Sequence, residues 1–201
     1  MSDGFAIPAF DSAPGLEAYL NRTPETATGL GAFFQSVLAL VERRGAEDLE
    51  RAMVGVASRR WIAFRQYPLR DFMRLAHNVS RIAYPKVSNG EGLRRLGHAA
   101  YPSFAATMAG RVALFAFGET IEDVLRASPK AYRLALPEAT VNVRAMGPRK
   151  LHMELRNVCS FVDTYQCGVI EGCVRAFGLQ PDVRIQVGPG LIDATYEVKW
   201  R

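Results

Sequence analysis

"ATVNVRAMGPRKLHMELR", residues 139–156, is where the periodicity of this sequence changes. Before it, apolar residues recur every three or four positions. Within it they alternate: Val141 and Val143, then Leu151, Met153 and Leu155, face one way. A period of two is the mark of a half-buried strand. Met146-Gly147-Pro148 supplies the turn that folds the two runs into an antiparallel hairpin. "DVRIQVGPGLIDATYEVKW", residues 182–200, repeats the device. There Val183, Ile185 and Val187 alternate with Arg184 and Gln186, and Ile192, Ala194, Tyr196, Val198 and Trp200 follow a Gly188-Pro189-Gly190 turn. Between the hairpins, "TYQCGVIEGCVRAFG", residues 164–178, is spaced as a helix. The order is a helical N-terminal half, then hairpin, helix, hairpin. It predicts an α+β fold with helices packed on an antiparallel sheet.

Upstream the helical pattern is interrupted several times. Residues 1–22, with Gly4, Pro8, Pro14 and Gly15, read as an arm over the surface, leaving 23–201 as a single α+β domain. Thr23 reads as a cap and Pro24 as the first turn of a helix carrying Phe33, Phe34, Val37, Leu38 and Val41, stopped at Gly45. A second helix is expected over 47–56. After a break at Tyr67-Pro68, Leu69, Phe72, Met73, Ala76 and Val79 give a third. Leu93, Leu96, Ala100 and Phe104 give a fourth, in which Pro102 predicts a kink or an early stop. A helical run then continues to Leu125, and "ASPKAYRLAL", residues 127–136, reads as a looser turn.

The helix between the hairpins carries Cys167 and Cys173, six residues apart. That separates them by about 120° around the axis, so they cannot ligate one metal from the same face. Tyr165, Val169, Gly172, Cys173 and Ala176 form the inward stripe, which makes Cys173 a small core residue. Gly168 and Gly172 allow another element close to the helix backbone, at about 1 kcal/mol each in propensity. Glu171 and Arg175 read as an i,i+4 pair. A zinc site would have to recruit Cys159, and His152 as well, to reach four ligands. His152 points away from the side defined by Leu151 and Met153, and no metal is expected.

"RRWIAFRQYPLRDFMRL", "GLRRLGHAAYPSFAATMAGR" and "YQCGVIEGCVRAFG", closed by "DATYEVKW", together resemble a large paralogous family of myxobacterial proteins described only as a domain of unknown function. The likeness runs from Gly29 to Trp200. More remotely, the hairpin–helix–hairpin end is similar to the superfamily joining four-vinyl-reductase domains, haem nitric-oxide sensors and Bet-type subunits of vesicle tethering complexes. That resemblance implies an α+β ligand-binding or scaffolding domain, often dimeric, rather than one reaction. The haem sensors hold the haem carboxylates with a Tyr-x-Ser-x-Arg motif. No such motif occurs here, and His77, His98 and His152 lack it as a partner. Aromatic-sensing relatives bind zinc with a final cysteine in the last strand, where this chain has Ala194 and Tyr196. The acylated cysteine of the tethering subunits matches none of Cys159, Cys167 and Cys173. No cofactor is expected.

Composition narrows the remaining classes. With 49% hydrophobic and 22% charged residues the chain is an ordinary globular one, long enough for a real core. There is no run long enough to span a membrane and no signal segment. Three cysteines in no disulfide spacing point to a reduced, cytoplasmic setting. The net charge of +5 comes from dispersed arginines rather than a block. Arg59, Arg60, Arg65, Arg70 and Arg74 are the closest grouping, and neither nucleic acid nor membrane is expected as a partner. Nucleophile and phosphate-loop motifs are missing, so an enzyme is not expected. The expected function is a non-catalytic regulatory or sensory domain that binds a small apolar molecule. Trp61, Phe64, Tyr67, Phe72, Tyr101 and Phe104 are its candidate ligand-binding residues, in a chain also rich in phenylalanine at 33, 34, 115 and 117. The alternative is a protein-interaction module working as a homodimer or with a partner, through Trp61, Tyr67 and Tyr101.

Overall fold

A computed structural model describes residues 4–57, 60–106 and 118–201. Its sheet is the part the alternating pattern dictates. Strands β3 (Thr140–Gly147), β4 (Lys150–Arg156), β5 (Pro181–Val187) and β6 (Ala194–Trp200) pair antiparallel in the order β3-β4-β6-β5. Leu151, Met153 and Leu155 lie beside Val198, Tyr196 and Ala194, and this face is buried. The alternation reflects one covered face, which also fixes the register, because a slip of one residue would expose every apolar side chain.

Helices cover that face. Among the described residues they are α1 (Leu16–Leu20), α2 (Gly31–Glu42), α3 (Ala46–Ala52), α4 (Leu69–Ala83), α5 (Asn89–Ala106), α6 (Ile121–Ala135) and α7 (Tyr165–Ala176). Short strands β1 (Thr28–Leu30) and β2 (Gln66–Pro68) form a separate antiparallel ribbon at the starts of α2 and α4. The stripe Leu69, Phe72, Met73, Ala76 and Val79 of α4 is buried throughout, as its three–four spacing requires.

Four expectations are corrected. Thr23 caps no helix that follows. Its hydroxyl donates to the carbonyl of Tyr19, closing α1, and α2 starts only after β1. The second helix is shorter than 47–56 and ends at Ala52. Residues 127–136 are not a looser turn: α6 runs through Pro129, launched by a capping box between Thr120 and Asp123. Of the two outcomes expected of Pro102, the early stop is the one corrected, since α5 continues to Ala106; Phe115 and Phe117 lie outside the described residues.

The N-terminal segment is docked, not loose. Tyr19 and Leu20 are in the core, and the Tyr19 hydroxyl reaches both carboxylate oxygens of Asp163 at 2.6 Å. Further out, Ala6 exchanges two backbone hydrogen bonds with Ile185, covering part of the edge of β5. Phe5 lies 5.1 Å from the ring of His152 on the outer face of the sheet. On the same face Glu197 is gripped by Lys150 and Lys199, each at 2.6 Å.

Helix α7 is the centre of the molecule. It is buried on more than one side, since Cys167, Gly168, Ile170, Glu171, Gly172 and Val174 are buried along with Tyr165 and Cys173, whereas Ala176 is exposed. The close approach its glycines permit is made by α5. A Cβ placed on Gly168 would lie 1.9 Å from the Arg94 carbonyl oxygen. One placed on Gly97 would lie 2.1 Å from that of Tyr165. Glu171 therefore pairs not with Arg175 but across this seam, its Oε2 2.7 Å from Nη2 of Arg94.

Candidate functional site: an apolar cavity between helices and sheet

Where α2, α4, α5, α6 and α7 meet over β4, the side chains do not close completely. They leave a cavity of about 150 Å³. Each element contributes apolar side chains. Phe33 and Phe34 come from α2, Leu69 and Phe72 from α4, and Tyr101 and Phe104 from α5. Val124 and Leu125 come from α6, Val169 and Ile170 from α7, and Met153 from the sheet. Aromatic rings brace the walls: Phe33 stacks on Phe104 at 5.4 Å, and Phe72 meets Tyr165 edge-on at 5.6 Å.

The candidate residues divide into three groups. Phe72, Tyr101 and Phe104 line the cavity. Trp61 and Tyr67 stand one layer behind, Trp61 stacked on Phe34 at 5.2 Å and Tyr67 edge-on to the same ring at 5.9 Å. The Tyr67 hydroxyl oxygen accepts the Ile62 backbone N–H at 2.8 Å, so this pair positions the loop rather than a ligand. Phe64 is elsewhere: it is 67% exposed.

The polar residues of the lining were not among the candidates. Tyr132 donates to Oε1 of Gln166 at 2.5 Å, and Nε2 of Gln166 donates to Oγ of Ser160 at 2.7 Å. Ser128, one turn before Tyr132 on α6, is nine-tenths buried, and among the described residues its Oγ has no hydrogen-bond partner. Positions 121, 124, 125, 128, 132 and 135 share one helical face, a signal that Pro129 obscures. The Cys173 thiol also lines the cavity, and burial pushes its pKa up to about 11. Burial likewise raises the phenols of Tyr101, Tyr132 and Tyr165 above their ordinary value. Among the described residues the lining holds no lysine, arginine, histidine or carboxylate. Such a site favours a neutral guest.

The other chemistry-bearing residues are dispersed. Cys159 lies near the Asn157 carbonyl and Cys167 near those of Val162 and Asp163. Among the described residues no group of three His, Cys, Asp or Glu side chains converges as a metal site would need. His98 borders a separate surface hollow with Arg94, Arg95 and Arg175, where burial and the arginines lower its pKa.

Comparison with known proteins places this architecture. Residues 22–201 match the model of a family described as "Protein of unknown function (DUF2378)". No curated protein matches the sequence. Among solved structures, an H-NOX protein from S. oneidensis in the Fe(II) ligation state superposes with a TM-score of 0.68 at 9% identity. The match covers 86% of this chain and 96% of that one. The Fe(II) unliganded H-NOX protein from K. algicida gives 0.63 at 14% identity over 86% and 96%. The I5F mutant of T. Tengcongensis H-NOX gives 0.64 at 14% over 85% and 97%. At these identities the likeness is one of fold: an H-NOX-like α+β domain.

Proposed function

This chain belongs to the DUF2378 family of proteins of unknown function, and we propose that it is a non-catalytic sensory or regulatory domain whose ligand is a small apolar molecule. The observation that carries this reading is the cavity at the junction of the helices and the sheet. Its volume of about 150 Å³ equals that of an engineered apolar cavity that stays dry and binds benzene or xenon. A ligand there touches α2, α4, α5, α6, α7 and β4 at once, so it stabilises their mutual arrangement by mass action.

The residues do not fit a haem, although the S. oneidensis and K. algicida neighbours are described in Fe(II) states. No imidazole lines the cavity, no described cation faces it to hold carboxylates, and a porphyrin is several times larger. The non-catalytic part of the proposal rests on the same lining, which offers buried, protonated phenols and a thiol but no base beside them.

Benzene and xenon titrations followed by methyl NMR test the proposal. Shifts concentrated at Met153, Val124 and Ile170, and abolished in Val169→Phe, are expected. Wild-type spectra unchanged at saturating probe would refute it.

A second reading has one observation in its favour. Ile62, Phe64 and Leu134 are 61%, 67% and 54% exposed, and Gln66 binds the Leu134 carbonyl at 2.9 Å, which holds β2 to the end of α6. This patch suits a homodimer or partner better than Trp61, Tyr67 and Tyr101, which are largely occupied inside. Sedimentation of wild type and Phe64→Ser decides it: a concentration-dependent dimer lost in the variant supports the reading, and a wild-type monomer at high concentration overturns it.

A further inference from the structure

We infer that the cavity selects a small neutral alcohol, held by Ser128 and Tyr132, rather than a pure hydrocarbon; this rests on the ligand-binding reading above. The argument is a ledger of hydrogen bonds. The Tyr132 proton is committed to Gln166, whose own amide is committed to Ser160. That chain commits the phenol hydrogen and leaves the phenol oxygen as an acceptor. Ser128, four residues earlier and therefore on the same side of α6, presents a hydroxyl with no partner. Pro129 lacks an N–H, so the carbonyl of Leu125, another lining residue, also loses its usual helical donor. The α6 wall is thus polar at one point and apolar elsewhere.

A buried unpaired hydroxyl is destabilising, and the guest that relieves it must match both groups. A ligand hydroxyl does: it accepts from Ser128 and donates to Tyr132. A carbonyl satisfies Ser128 alone. An ammonium or carboxylate meets no countercharge among the described lining residues and would be excluded by desolvation.

Three near-isosteric probes test this by calorimetry and ligand-observed NMR: cyclohexanol, methylcyclohexane and cyclohexylammonium. Wild type is expected to bind cyclohexanol at least as tightly as methylcyclohexane and not to bind cyclohexylammonium. Ser128→Ala, which removes one atom from a helix, is expected to weaken cyclohexanol about ten-fold. The same variant should leave methylcyclohexane unchanged or tighter, which also shows that it folds. Tyr132→Phe is expected to act in the same direction. If methylcyclohexane binds but cyclohexanol does not, or if both variants keep wild-type cyclohexanol affinity, the alcohol inference is wrong and the cavity reading stands. If neither neutral probe binds, both are wrong.

Discussion

Replacing Gly168 by alanine tests the tightest feature of the fold. The added methyl would sit 1.9 Å from the Arg94 carbonyl oxygen and 2.8 Å from the His98 nitrogen. Carbon and oxygen in contact need about 3.3–3.6 Å, so α5 and α7 must part by more than about 1 Å. Overpacking costs about 1–3 kcal/mol even where side chains can yield. Here the obstacle is backbone, which puts the cost at the upper end. Alanine returns up to about 1 kcal/mol of helix propensity. The net expectation is a loss of about 2 kcal/mol, seen as a fall in Tm of about 4–8 °C for a chain of this size. Gly92→Ala is the control. Its methyl would meet nothing nearer than the Ser80 carbonyl at 3.5 Å, an ordinary contact, so it should gain up to about 1 kcal/mol. Guanidinium unfolding by circular dichroism reads both. Equal or greater stability of Gly168→Ala than wild type would refute the close seam.

Three further outcomes are expected. Tyr19→Phe leaves the part-buried Asp163 carboxylate without its phenol donor and should cost about 1–3 kcal/mol in urea unfolding at pH 7; an unchanged midpoint would show that the pair is idle. Hydrogen bonds from Lys150 and then Lys199 hold the Glu197 carboxyl at about 2, below its ordinary 4.5. Its folded value is the lower one, so its stabilisation is complete above pH 4.5 and is lost as pH falls toward 2. The loss is on the order of 2 kcal/mol after screening, and Glu197→Gln should flatten that part of the stability–pH curve. Finally, fluorescence anisotropy with mixed oligonucleotides should show no binding tighter than about micromolar near physiological salt. Arg70 is spent on the Thr23 and Leu20 carbonyls and on Glu25, and Arg74 on Asp71. Tight, salt-resistant binding would overturn this.

The β half of the molecule is legible in the sequence because each strand has one covered face, and a covered face leaves a period of two. Helix α4 is legible for the same reason at its own period. Helix α7 is legible as a helix with close-packed glycines, but not its inward face: an element packed on several sides carries no single stripe, and Glu171 finds its partner on another helix, beyond any local rule. Thr23-Pro24 shows a different limit. A threonine before a proline suits a helix start, yet the same hydroxyl can bond four residues backward, and only the position of α1 decides which. Of the cavity, the aromatic side from α4 and α5 was visible as a supply of rings. The α6 side was not, because Pro129 makes 127–136 read as a turn and hides the face that Ser128 and Tyr132 share with Val124 and Leu125.

The glycine seam between α5 and α7 has a mechanical meaning. It presses backbone against backbone, so α7 has a hard back and cannot retreat when the cavity on its other side fills. Helix α6 contains no glycine and meets its neighbours through side chains, which can yield. A change in the volume enclosed between the two helices would therefore fall on α6, whose last turn is tied to β2 by the Gln66–Leu134 hydrogen bond.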